Sequence, residues 1–188
     1  MNKITVGFSK SKKNFPIASW LIMLYQWTNF SHTYIRVKNS NFPSDTIIHA
    51  SEGLVQNMSE KFFNKKHKVI EEYEIKIPDI KITDSVTGKK VTVFRAILNM
   101  LHENSGDDYS IMQNVGILYV DLVRSVCGKV VKNPWVSGWN CSEFVVTVLR
   151  IIYPEEFGKL DPDTVTPKQV RNLLAKLDKN VNYKIKKV

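Results

Sequence analysis

The 188-residue chain predicts an α+β fold, a small antiparallel sheet packed against helices. Three observations carry this. Period-two alternation of apolar and polar residues clusters in the first part of the chain. Segments with helical spacing fill the second half. No internal repeat, Gly/Ser-rich or Pro-rich linker, or low-complexity stretch interrupts them, so residues 1–188 read as one domain. A chain of this length buries a core without disulfide or metal staples.

In chain order, Ile4–Phe8 reads as the first strand. The apolar run Ile17–Trp27 reads as a core helix, with an interfacial membrane element as the alternative. It is too short for the roughly 20 residues a membrane span needs. Ser31–Lys38 alternates cleanly, with Thr33, Ile35 and Val37 on one face and His32, Tyr34 and Arg36 on the other. Thr46–Ala50, Gly53–Gln56 and Val69–Ile77 are further strands, and Asn39–Asp45, with Pro43, is the turn between the second and third. Helices are expected over 92–104, 110–127, 141–153 and 167–178. Gly128 supplies a C-terminal stop and Pro154 follows another helix end. Tyr183–Val188 closes the chain as a last strand.

Composition narrows the function classes. With 43% hydrophobic and 24% charged residues the chain is not disordered. Two cysteines make no disulfide framework. The net charge of +9 favours anionic partners such as nucleic acid, anionic lipid or a charged wall. Its make-up weakens that pull, because only Arg36, Arg95, Arg124, Arg150 and Arg171 are arginine and the lysines are scattered in small groups. Arginine forks, the usual readers of phosphates and bases, are scarce, so a lysine-rich surface with weak polyanion attraction is expected and specific nucleic-acid binding is not. No secretory h-region precedes the first strand, which leads to the expectation of a cytoplasmic protein, compatible with virion association if the source is a bacteriophage. No phosphate loop, dinucleotide fingerprint or carboxylate cluster stands out, and no cofactor is expected.

The chemistry rests on cysteine and histidine. Cys127 ends a helix, where the dipole disfavours a thiolate, and reads as an inert thiol. Cys141 is set differently. In Ser137-Gly-Trp-Asn-Cys-Ser-Glu143, Asn140 is a good N-cap and Glu143 completes a capping-box variant, which puts Cys141 at the first helical position. The positive end of the dipole there is expected to lower its pKa, and its own N–H, lacking an intrahelical partner, can point at an oxyanion. Cys141, Phe144, Val145, Val148 and Ile152 form one apolar stripe with the cysteine at its tip. Among the histidines, His67 lies in a lysine-rich loop and His102 near a helix end, and both read as structural or solvated. His32 and His49 lie on consecutive strands, where one can accept the thiol proton while the other holds the first ring's remaining nitrogen.

Three segments together, Thr28-Asn-Phe-Ser-His-Thr-Tyr-Ile-Arg-Val37, Ile47-Ile-His-Ala-Ser-Glu-Gly-Leu-Val55 and Trp139-Asn-Cys-Ser-Glu-Phe-Val145, resemble the circularly permuted papain-like group. This group includes the YiiX-like and lecithin–retinol-acyltransferase-like relatives of NlpC-type cell-wall peptidases. The resemblance spans nearly the whole chain and implies a permuted papain-like fold with Cys141 as nucleophile, His32 as base and His49 as the orienting third residue. The sequence departs from the group at two places: His49 stands where the YiiX-like branch commonly has glutamate, and Asn140 stands where an aromatic is expected before the nucleophile. Glu52 is an alternative partner for His32 if the strand register differs.

The expected activity is cysteine-dependent hydrolysis or acyl transfer on an amide, ester or thioester, with the Cys141 N–H at the oxyanion. Substrates on this reading are peptidoglycan peptides, lipids or proteins. Two rivals stay open: a zinc site from His32, His49, Cys127 and Cys141, without the usual ligand spacings, and a non-enzymatic basic module binding nucleic acid or membrane.

Overall fold

In the computed structural model the described residues are 2–12, 17–38, 45–51, 54–129, 131–135, 138–181 and 183–188. The period-two segments pair into one antiparallel sheet. Its strands are β1 (Lys3–Ser11), β2 (His32–Val37), β3 (Thr46–Ser51), β4 (Leu54–Ser59), β5 (His67–Lys76) and β8 (Ile185–Lys187), in spatial order β4-β3-β2-β1-β5-β8. A small separate hairpin joins β6 (Lys81–Thr83) to β7 (Lys90–Thr92). The helices are α1 (Ile17–Gln26), α2 (Glu60–Lys66), α3 (Val93–Glu103), α4 (Ile111–Cys127), α5 (Cys141–Ile152), α6 (Pro154–Phe157) and α7 (Pro167–Asp178).

The α+β class and the antiparallel sheet match the sequence expectation, and the four long helices of the second half fall within a residue or so of their expected limits. Gly128 closes α4 in the left-handed conformation at φ 65°, which relieves the Cβ clash any other residue would meet there. Four features differ from expectation. The β6–β7 hairpin and α2 were not foreseen; α2 is short and begins where the Ser59 hydroxyl accepts the Phe62 N–H. Pro154 does not merely follow a helix but opens the one-turn α6, at a position that needs no N–H. The core reading of Ile17–Trp27 also fails: Trp20, Leu21, Leu24, Tyr25 and Trp27 are exposed. Of the expected 39–45 turn only Asp45 lies within the described residues.

The sheet separates two unequal layers. On one face Ile4, Val6, Phe8, Ile35, Val37, Ile48 and Ala50 meet Phe144, Val145, Val148 and Leu149 of α5, together with residues of α3 and α7. Each fully buried Val, Ile, Leu or Phe among them stabilises the fold by about 1.5–3 kcal/mol. On the other face a small cluster of Tyr34, Ile47 and Phe63 lies under α2. Polar ties hold this thinner layer: Arg36 reaches Glu60 at 3.0 Å and Glu72 at 2.6 Å, and the Tyr34 hydroxyl donates to Glu72 at 2.6 Å. Burial, followed by the Glu72 hydrogen bond, raises the Tyr34 phenol well above its ordinary pKa.

Candidate active site

Strand alternation decides which side chains meet. His32 shares its face with Tyr34, and His49 shares its face with Ile47, so both rings turn towards α2. Their backbones separate here. Pairing of β2 with β3 stops at Ile35↔Ile48, and the His32–His49 contact occupies the end of the strands beyond that rung. His32 Nε2 lies 2.9 Å from His49 Nδ1, which also lies 3.1 Å from the Ser51 hydroxyl. Ser51 is held in turn by Gln56, whose amide donates to the Ser51 carbonyl at 2.8 Å. Both histidines are buried.

A third histidine joins them, contrary to expectation. His67 is not in a solvated loop; it is the first residue of β5, half-buried, with its ring 5.2 Å from His32 and 5.6 Å from His49. Phe63 stacks on the His67 ring at 4.4 Å and also lies 5.3 Å from His49. A bulge in β5 explains the aim. Pairing to β1 jumps from Phe8↔Glu71 to Ser9↔Val69, so Ile70 is an extra residue, and beyond it Val69 and His67 face α2. Alternation alone could not have revealed this, because a bulge resets the period. The helix that carries Lys65 and Lys66 also absorbs the lysine run that made the segment look like a loop.

The capping reading of the cysteine segment holds in detail. The Asn140 side chain accepts the N–H groups of Ser142 at 2.9 Å and Glu143 at 2.8 Å, and the Glu143 carboxylate accepts the Asn140 N–H at 3.3 Å. Gln113 of α4 donates to the same carboxylate at 3.0 Å, tying α4 to the start of α5. Cys141 occupies the first helical position and is buried. Thr33, beyond the last β2–β3 rung, has its N–H directed at the Cys141 sulfur. The thiol therefore lies beside the residue that follows His32, while α5 covers one face of the sheet and the histidine rings occupy the other. No hydrogen bond joins the Cys141 sulfur to His32 among the described residues.

The electrostatics correct one expectation. Burial pushes the Cys141 thiol above its ordinary pKa; the Thr33 N–H, the Ser142 hydroxyl and the N–H groups of Cys141 and Ser142 offset only part of that rise. The helix terminus alone does not yield a thiolate here, because loss of hydration outweighs it. His32 moves the opposite way, held well below the usual imidazole value first by burial and then by His49 and His67. Both shifts favour the uncharged forms, the thiol and the unprotonated imidazole.

The remaining candidates fall elsewhere. His102 is exposed in the last turn of α3, and Cys127 is exposed at the end of α4. Glu52 lies outside the described residues. Among the described residues no group of three or more His, Cys, Asp or Glu side chains is arranged to hold a metal ion. No helix among them is long and apolar enough to cross a membrane. Comparison with protein-family models, with curated proteins and with solved structures returns no match.

Proposed function

We propose that the protein is a cysteine-dependent hydrolase or acyltransferase of the permuted papain-like, NlpC-type kind, acting on an amide, ester or thioester. One observation carries the reading. A cysteine at the tip of a capped helix lies against the backbone next to a buried histidine, whose Nε2 a second histidine engages at 2.9 Å. If His32 carries its proton on Nε2 and donates to His49 Nδ1, the lone pair on His32 Nδ1 is the one that receives the thiol proton. On this reading the two groups meet around the end of β2, where pairing with β3 has stopped.

In the reaction, His32 accepts the Cys141 proton as the sulfur attacks the carbonyl carbon. The carbonyl oxygen takes the electron pair, and the Cys141 N–H at the helix start contributes one donor to it. Collapse expels the amine, alcohol or thiol, which leaves with the proton held by His32. Water or a second acyl acceptor then gives its proton to His32 as it attacks the thioester carbonyl, and the departing sulfur takes that proton back from His32, which restores the thiol.

The test is turnover on a panel of amides, esters, thioesters and peptidoglycan fragments, with Cys141→Ala as control. We expect the substitution to abolish turnover while the melting temperature changes little. An active Cys141→Ala protein ends this reading.

A further inference from the structure

The helix that sequence reasoning assigned to the core points outward instead. Within α1 and the residue after it, Trp20, Leu21, Leu24, Tyr25 and Trp27 are all exposed, Trp27 to 87%. α4 packs beside α1 and carries a second exposed stripe, Val115, Tyr119, Leu122 and Val126, at i, i+4, i+7 and i+11. Exposed Trp135 meets Tyr119 edge-on at 6.1 Å and extends this surface. Soluble proteins rarely leave this many large apolar side chains exposed on neighbouring helices without a use for them.

Trp27 adds an independent sign. It is the only non-glycine residue with positive φ among those described, at 51°. The left-handed turn is fixed by the N–H groups of Trp27 and Thr28, which donate to Leu24 and Met23 carbonyls at 3.3 and 3.1 Å. A bulky residue is disfavoured in that conformation, and glycine would fill it without strain. The fold instead holds an indole there and projects it into solvent.

We propose that the α1–α4 face is a peripheral docking surface for an anionic lipid bilayer. Two observations favour lipid over a second copy or an apolar protein. The outward side chains are mainly Trp, Tyr, Leu and Val, and Trp and Tyr are the residues that settle at the headgroup boundary. The charge is complementary as well. Residues 17–27 carry no charged side chain, Lys10, Lys12 and Lys13 precede them, and Arg124, Lys129 and Lys132 lie at or after the end of α4; the acidic residues of the same stretches are Asp121 within α4 and Asp107 and Asp108 just before it. Lys12, Lys129 and Lys132 are exposed. A bilayer accepts both components at once, burying the rings and attracting the flanking cations.

The experiment is co-sedimentation of the full chain with vesicles of phosphatidylcholine alone and of phosphatidylcholine with phosphatidylserine, read together with tryptophan emission. We expect binding to the anionic vesicles with a blue shift, and weakening as salt is raised. Trp27→Gly removes the strain together with the ring, so the protein should melt no lower while binding falls roughly tenfold, the effect of one large buried side chain. Replacing Lys129 with Gln should weaken binding roughly fivefold. Failure to bind either vesicle, or binding that Trp27→Gly leaves unchanged, overturns the proposal. So does a self-associating chain whose dimer Leu122→Lys dissociates, because a second copy then covers the face. None of these readouts depends on Cys141, so the docking proposal and the catalytic one fail independently.

Discussion

The two faces of the central sheet are built from different materials. The α5 face is mainly hydrocarbon, Val6, Phe8, Ile35 and Ala50 against Phe144, Val145 and Leu149. The α2 face has only Tyr34, Ile47 and Phe63 as its fully apolar cluster, and it fills the remaining space with three histidines, an arginine and carboxylates. One face supplies stability through area; the other holds titratable groups, of which His32 and His49 are buried and His67, Arg36 and the carboxylates are partly open to water. Cys141 lies at the seam, on the helix of the first face and beside the strand end that carries the histidines of the second.

Substitutions should separate the faces by the size of their effects. Phe144→Ala opens a void in the thick layer and should cost about 3–5 kcal/mol in chemical denaturation. A loss under about 1 kcal/mol would mean that the layer repacks freely. Next comes Gly7→Ala on the thin face. An added Cβ would lie 2.1 Å from the Tyr34 ring, which is pinned by its bond to Glu72, and overpacking of this kind costs about 1–3 kcal/mol. The pairing Gly7→Ala with Tyr34→Phe should recover part of that loss once the ring is released.

Acid should unfold the protein through the thin face. Folded His32 resists protonation, whereas in the unfolded chain it takes up a proton near its ordinary value of 6.5. The unfolded state therefore binds more protons below that pH, and stability falls as pH is lowered from about 6.5 towards the folded value. Thermal melts across this range should show a steeper decline for the native chain than for His32→Gln. Equal slopes would remove His32 as the cause. The smallest effect is expected at Cys127→Ser, within about 0.5 kcal/mol, because that thiol is exposed at a helix end.

Periodicity and capping made most of the α5 face legible. Asn140 and Glu143 mark the start of α5, the Cys141–Ile152 stripe marks its buried side, and the alternation of 31–38 assigned His32 and Thr33 to opposite faces. The pairing of His32 with His49 was legible too, since consecutive strands bring their ends together. His67 was hidden by the Ile70 bulge and by the short α2, a helix too brief to show an apolar period. Helix α1 misled for the opposite reason. Its apolar composition is the same whether a core or an external phase covers it, and only packing decides which. The rise in the Cys141 pKa was equally out of reach, because the helix terminus is visible in sequence and the depth of burial is not.

The central claim is that Cys141, although buried, is the reactive thiol, while exposed Cys127 is inert. The direct measurement is a brief reaction at neutral pH with a limiting activated ester, followed by peptide mapping of the acylated cysteine. The account predicts acyl transfer to Cys141 ahead of Cys127, strongly slowed in His32→Gln and less slowed in His49→Gln. Acylation of Cys127 alone, or of Cys141 at a rate indifferent to His32, would contradict it.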